Sequence, residues 1–280
     1  SDLGDIITEV GGEPFGETET VETRLENRVG KETLITIERE IEDDNDAIDT
    51  RQYHVLLTPI SGGQLRQIAY ESWRRDVAER VEEKTNGRIG YIHIQAMGQQ
   101  ALDVFERDLF AAAHDKEGLI IDVRNNGGGW TTDRLLSSIM VEPHAYTIPR
   151  GADPSNRGHY PQGRLFIQRY SLPINMLCNE KSFSNAEIIS HAFKTLDRGT
   201  LIGEQTWGGV ISTGGFALID GTFVRLPFRG WYVMDGTNRD MENNGAMPDI
   251  RIPKRPEAEA AGRDEQLDVA VNDLLERLEE

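Results

Sequence analysis

Two adjacent segments, PINMLC at residues 173–178 and NEKSFSNAEIISHAF at residues 179–193, decide the fold of this chain. The first is an apolar run and predicts a buried strand. The second repeats apolar residues at three- and four-residue spacing from Ile188 onward and predicts a helix. Ser184 therefore lies where a strand gives way to a helix. Main-chain N–H groups at such a point, together with the helix dipole, favour negative charge.

Ser184 has two interpretations. Serine is a preferred N-cap residue, and caps far outnumber nucleophiles. A serine at this position can also attack a carbonyl carbon while nearby amides stabilise the oxyanion. The motifs around Ser184 favour the nucleophile.

A glycine run supplies the second motif. The segment GLIIDVRNNGGG at residues 118–129 is an apolar strand that ends in three glycines. Consecutive glycines permit positive φ angles and a close approach of the backbone to a ligand. An oxyanion loop needs both, because its donors are main-chain amides aimed at one point. A triple glycine alone is more often a flexible turn, so the longer string DVRNNGGG carries the interpretation.

Both motifs resemble those of one peptidase family. The string SFSNAE at residues 182–187 resembles the Ser-x-Ser-x-x-Glu motif of the tail-specific (C-terminal processing) proteases and, more closely, of their tricorn core protease branch. The resemblance covers most of residues 66–280. It implies that Ser184 is the nucleophile, and that the amide of Asn185 and either Gly128 or Gly129 form the oxyanion hole. It also implies an αβ-spiral core of the ClpP and crotonase type.

A third motif separates two branches of that family. Tail-specific proteases carry a lysine base in a segment that here reads TWGGV, residues 206–210, with Gly209 at the lysine position. The string instead resembles the tricorn branch, which uses a Ser–His–Ser–Glu tetrad. The acid of that tetrad falls in the context ENNGAMPD, which makes Glu242 the matching carboxylate. On composition alone Glu242 is one more solvated acid among 48. The resemblance implies a peptidase that trims oligopeptides or unfolded protein tails.

The catalytic base is missing from these motifs. In the tricorn branch the histidine and its supporting serine lie upstream of a PDZ-like domain, and LGDIITEVGGEPF at residues 3–15 resembles the second half of such a module. His191 lies two helical turns beyond Ser184, too far along the axis to reach its hydroxyl. None of the six histidines is assigned as the base. We therefore expect the catalytic histidine upstream of this sequence; the alternative is an inactive peptide-binding scaffold of the same family.

Strands and helices alternate after residue 88, which predicts an α/β fold with a largely parallel sheet. The predicted strands are 88–95, 118–124, 173–178 and 200–204, and the predicted helices are 67–83, 100–114, 131–141 and 184–197. Residues 1–63 are predicted as a β-rich partial PDZ-like domain with an acidic loop, and 64–280 as the peptidase core. A hairpin is predicted around residues 219–222 and a loop at 253–262. The last helix, with Leu267, Val271 and Leu274 in register, packs either on its own core or on another subunit.

Composition limits the partners. The net charge of −18 argues against nucleic acid and against an anionic membrane face. No stretch approaches the ~20 apolar residues of a membrane span.

Cys178 cannot form an internal disulfide and is expected to be a small buried hydrophobe. The sequence offers no metal-ligand pair and no phosphate-binding loop, so neither a metal nor a cofactor is expected. We expect a homo-oligomer that acts on peptides in the cytoplasm, with the periplasm as the alternative.

Substrate specificity is expected to depart from that of the tricorn branch. The resemblance implies that, in that branch, an aspartate after the glycine loop, supplied by a neighbouring subunit, sets the preference for basic residues before the scissile bond. The corresponding stretch, EPHAYT at residues 142–147, contains no aspartate. Glu142 is the available substitute.

Overall fold

The computed structural model describes residues 4–42, 48–140, 145–148, 150–153, 155, 158–160 and 169–279. The chain divides into two compact units, Ser1–Trp73 and Arg74–Glu280. Helix α2, Gly62–Thr85, crosses this boundary. A domain limit between residues 63 and 64 therefore stays a prediction.

In its described residues, the N-terminal unit consists of an antiparallel sheet, one short helix and the first part of α2. The strand order is β2-β1-β3-β4, formed by Glu13–Pro14, Ile6–Val10, Thr33–Glu42 and Ile48–Leu57. Helix α1, Val21–Leu25, is capped by Thr20: the Thr20 hydroxyl accepts a hydrogen bond from the Thr23 amide, and the Thr23 hydroxyl accepts one from the Thr20 amide. Val10, Ile35 and Ile37 form its small buried core. The expected β-rich N-terminal part is confirmed.

The C-terminal unit is built on a five-stranded parallel sheet in the order β13-β10-β9-β6-β5. Its strands are β5 (Ile89–His93), β6 (Gly118–Asp122), β9 (Ile174–Cys178), β10 (Leu201–Gly203) and β13 (Ile250–Arg251). Helices α3 (Gln99–Ala113), α4 (Thr132–Ile139) and α5 (Asn185–Thr195) connect them. The predicted α/β fold with a parallel sheet is confirmed.

Helices cover both faces of this sheet, which is why its strands read as continuous apolar runs. Along β6, Leu119 and Ile121 face a core formed with α3, α4 and α5, whereas Ile120 faces the opposite core formed with α2 and the last helix, α7 (Glu265–Glu279). From α2, Val77 and Val81 enter that second core, whereas Ile68 is exposed.

The last helix packs on its own chain. Helix α7, Glu265–Glu279, buries Leu267, Val271 and Leu274 against the second face of the sheet. Of the two roles open to it, packing on its own core is the one observed. Burial of a leucine side chain contributes about 1.5–3 kcal/mol, so this helix is a substantial part of the unit's stability.

Smaller elements lie outside the sheet. The hairpin predicted around residues 219–222 joins β11 (Ser212–Ala217) and β12 (Phe223–Arg229), with Gly221 at φ 82° in its turn. A short pair, β7 (Ala145–Thr147) and β8 (Gly158–Tyr160), follows α4 in the chain. The loop predicted at 253–262 is wrong in part, because helix α6, Pro256–Ala260, begins on a proline that suits the first helical position.

Candidate functional site

Ser184 occupies a strained elbow between β9 and α5. Its φ and ψ are 55° and −113°, whereas an ordinary N-cap serine is extended. A non-glycine residue held at such angles costs on the order of 1–3 kcal/mol and persists only where its surroundings fix it. Ser184 does stand at the N-cap position, since its carbonyl accepts from the Glu187 and Ile188 amides. The positive φ goes beyond what capping requires.

Ser182, two residues earlier, has a structural role. Its side chain is completely buried, and its hydroxyl donates to the Val123 carbonyl at 2.8 Å while accepting from the Asn179 amide at 3.0 Å. The hydroxyl thus both donates and accepts a hydrogen bond within the protein. Ser182 thus joins the end of β9 to the end of β6, which leaves Ser184 as the candidate nucleophile.

The glycine loop lies directly against this elbow. The Phe183 amide donates to the Asn126 carbonyl at 2.9 Å. Gly128, at φ 88°, approaches so closely that a β-carbon there would lie 2.7 Å from Ser184 Cβ. On the far side, Asn185 Oδ1 accepts from the Thr132 amide at 2.8 Å. Two motifs about 55 residues apart in sequence are thereby joined.

The two late glycines differ in their hydrogen bonds. The Gly128 amide donates to Asn126 Oδ1 at 2.8 Å, and Asn126 is itself fixed by a bond to the Ile94 carbonyl. Within the part of the chain that the structure describes, the Gly129 amide has no acceptor, and neither has the Asn185 amide. Gly129, at φ 150°, leaves no room for a β-carbon, which would lie 2.0 Å from the Met97 carbonyl oxygen.

Sequence reasoning used Glu187 as a motif residue but missed its role. Its side chain is completely buried and accepts from the Ser184 and Gly209 amides through Oε1, and from the Thr206 hydroxyl and the Gly208 amide through Oε2. One carboxylate therefore ties the elbow to the 206–209 loop. The Ser-x-x-Glu spacing, typical of a capping box, is the signal that could have identified it.

Gly209 makes a lysine base impossible without rearrangement. A β-carbon at this position would lie 2.3 Å from the Phe183 ring. That ring in turn packs edge-on against Trp207, with the centroids 5.7 Å apart. The space into which a lysine would extend from position 209 is occupied by an aromatic side chain.

Glu242 is half-buried and bound to the segment after Gly209. Its Oε2 accepts from the Val210 amide at 2.7 Å and from the Ile211 amide at 2.9 Å. The adjacent Met241 packs with Ile188 of α5 in a small apolar cluster. Glu242 is thus more than a solvated surface acid, although its contacts are with main-chain amides rather than with Ser184.

Among the residues with described side chains, four are histidines, and none of these four forms a hydrogen bond with Ser184. His93 is buried, with Nε2 3.0 Å from the Arg124 carbonyl oxygen, and burial lowers its pKa. His191 is buried on α5, its Nε2 has no partner among the described residues, and burial, with Arg239 nearby, lowers its pKa to about 4. His114 is exposed beside Asp115, and His54 is in β4 of the other unit.

Some positions that the sequence analysis singles out lie outside the residues that the structure describes. Residues 141–144, and with them Glu142 and His144, lie outside the described residues, as does the side chain of His159. The specificity expected from the stretch 142–147 stays a prediction.

A buried ion network holds the DVR part of the second motif. Arg124 lies between Asp122, at 2.7 Å, and Asp264, at 2.8 Å, which precedes α7. Burial disfavours the charged guanidinium, but the two carboxylates outweigh it and raise the pKa of Arg124 well above its usual value. The strand end that leads into the glycine loop is therefore fixed to the last helix.

Two further observations concern Cys178 and the membrane. The Cys178 thiol is buried and donates to the Glu204 carbonyl, and burial raises its pKa, as suits an inert thiol. Among the described residues, every helix is too short or too polar to cross a bilayer.

Comparison with known proteins identifies the relatives of this arrangement. The family model for Peptidase family S41 matches residues 88–252. Tricorn protease of Thermoplasma volcanium is 33% identical over 281 aligned residues, which cover 100% of this chain and 25% of the relative. Tricorn protease homolog 1 of Streptomyces coelicolor is 34% identical over 81% of this chain and 21% of its own length.

Solved structures agree. The crystal structure of the tricorn protease superposes with a TM-score of 0.77 at 31% identity, over 99% of this chain and 25% of that one. The chain thus spans between a fifth and a quarter of the length of these three relatives. The resemblance stated from the motifs is confirmed.

Proposed function

Because the chain belongs to Peptidase family S41, we propose that it is the catalytic part of a serine peptidase that hydrolyses oligopeptides or unfolded protein tails. The observation that carries the proposal is the strained Ser184 elbow packed against the glycine loop. A serine presented in this way is exposed to a substrate carbonyl, with main-chain donors beside it.

The Gly129 and Asn185 amides form the oxyanion hole. Both N–H groups lack an acceptor in the described part of the chain, whereas the Gly128 amide is committed to Asn126. Gly128 instead supplies the close approach that brings the loop to Ser184. Removing one such donor in a serine peptidase costs on the order of 10²–10³ in kcat, so this pair is a large part of the catalysis.

The base is a histidine outside these 280 residues, oriented by a supporting serine and, through that serine, by Glu242. His93 is buried and its Nε2 contacts the Arg124 carbonyl oxygen, His191 is buried two helical turns from Ser184, and position 209 cannot hold a lysine beside the Phe183 ring. Glu242 is held by two main-chain amides, which suits an orienting carboxylate. Assembly of several copies accompanies this activity, and peptides are the substrates.

The test compares the isolated 280-residue polypeptide with the complete protein on fluorogenic peptides. We expect hydrolysis by the complete protein, and binding without appreciable hydrolysis by the isolated chain, because an unassisted serine hydroxyl is a weak nucleophile. Robust hydrolysis by the isolated chain, abolished by substituting one of its own histidines, would overturn the upstream base. A complete protein that binds peptides but cleaves none would favour the inactive scaffold.

A further inference from the structure

A large aromatic side chain stands open beside the candidate nucleophile. Trp207 is 68% exposed, although tryptophan is usually mostly buried. Its amide donates to the Ser182 carbonyl at 3.1 Å, so its backbone runs next to the chain that enters the Ser184 elbow. An exposed indole at such a place offers apolar area to whatever lies in front of the serine.

The indole is held rather than loose. Its two neighbours, Thr206 and Gly208, both donate to Oε2 of the buried Glu187. Its ring contacts the edge of Phe183 at an interplanar angle of 88°. The backbone on both sides is therefore fixed to the nucleophile helix, and the ring loses little conformational freedom when it contacts a ligand.

The carboxylate that binds residues 206–209 is not available to a basic ligand. Glu187, the carboxylate that contacts the loop, is completely buried and already accepts four hydrogen bonds. It offers no partner to a lysine or arginine side chain. The surface at the loop is the Trp207 indole backed by the Phe183 ring and two glycines.

We propose that Trp207 is a specificity-determining residue that packs against an apolar side chain of the peptide substrate close to the scissile bond. The inference rests on the proposed peptidase function and adds the substrate class: peptides with a large apolar or aromatic residue beside the cleaved bond. The contact is hydrophobic and edge- or face-stacked, and needs no charge on the peptide.

The test measures peptide binding by fluorescence anisotropy in the complete protein carrying Ser184→Ala, so that no cleavage interferes. The peptides share one backbone sequence and differ at one central residue, which is Phe, Leu, Ser or Arg. Adding Trp207→Ala should raise the Kd of the Phe and Leu peptides about tenfold, the effect of losing one good apolar contact, and leave the Ser peptide within about twofold. Trp207→Phe should restore most of the affinity.

Two controls separate the possible failures. Phe110→Ala removes an equally exposed aromatic ring on α3, which contacts His114, and should change no Kd. Fluorophosphonate labelling of the otherwise wild-type protein should proceed at a similar rate with and without Trp207→Ala. Unchanged Phe and Leu affinities in Trp207→Ala, or a larger loss for the Arg peptide, would overturn this inference alone. Absence of both peptide binding and labelling in the complete protein would overturn the proposed function as well.

Discussion

The Ser184 amide donates a 3.0 Å hydrogen bond to Oε1 of Glu187, a carboxylate that is completely buried within the same helix. The same side chain accepts from Gly208 and Gly209. Because both oxygens are acceptors for two donors each, an ionised carboxylate fits this place and an amide does not. Glu187 therefore acts as a positioning residue for the elbow.

Glu187→Gln should lower both stability and turnover. The new NH₂ group would face two donors, which costs about 2–4 kcal/mol of unfolding free energy in a buried place. The elbow would relax, and kcat should fall more than KM rises. Urea unfolding and steady-state kinetics measure the two effects. Glu180→Gln, an exposed carboxylate in the preceding turn, is the control, and equal behaviour of the two variants would show that Glu187 positions nothing.

Neighbouring glycines provide a matched pair. Gly128→Ala places a methyl group 2.7 Å from the Phe183 carbonyl oxygen and from Ser184 Cβ, at a φ of 88°. Gly127→Ala meets nothing within 4 Å and has no positive φ. Gly128→Ala should therefore lose at least about tenfold in kcat/KM, and about 1–2 kcal/mol of stability from the strained backbone. Gly127→Ala should stay near wild type; similar losses in both would contradict this view of the loop.

The Glu242→Gln variant tests whether catalysis needs the negative charge of Glu242 or only its hydrogen bonds to the main chain. Glutamine keeps a carbonyl oxygen for the Val210 and Ile211 amides, so the fold and the melting temperature should be preserved. Loss of the negative charge should lower kcat about tenfold or more, but less than Ser184→Ala does, because effects within one catalytic unit are not additive. Glu276→Gln, exposed on α7, is the control. Wild-type kcat in Glu242→Gln would show that this acid only braces the backbone.

The buried imidazole of His191 should make the stability of the protein depend on pH. Its folded-state pKa is lowered to about 4 by burial and by Arg239, with Lys194 acting in the same direction and Asp235 and the Asn244 backbone opposing. The unfolded chain binds the proton at about pH 6.5, so stability is complete above that pH and falls as the pH drops toward 4. Between pH 8 and pH 5 this group should lower the free energy of unfolding by about 2 kcal/mol. In urea unfolding, the loss of stability between these two pH values should be smaller by that amount in His191→Gln than in wild type. The exposed His114→Gln variant should match wild type.

The sequence predicted four of the five strands of the sheet because each is a largely apolar segment next to a helical pattern, as in residues 118–122, whereas the two-residue strand β13 is too short to show such a pattern. It could not choose between Gly128 and Gly129, because the choice depends on the Asn126 side chain, which consumes one of the two amides. It could not decide what the apolar face of α7 packs against, because the second core forms only when β6 and β9, with Ile120 and Leu177, are brought together by strand pairing. The contacts of Glu187 with residues 206–209 are equally non-local.

Covalent labelling of the complete protein with a fluorophosphonate, followed by peptide mapping, tests most directly whether Ser184 is the nucleophile. We expect one phosphonyl group per active chain, attached to Ser184, and in Ser184→Ala the loss of labelling together with several orders of magnitude of turnover. Attachment to Ser182 or to any other serine, or near-normal turnover in Ser184→Ala, would contradict this expectation.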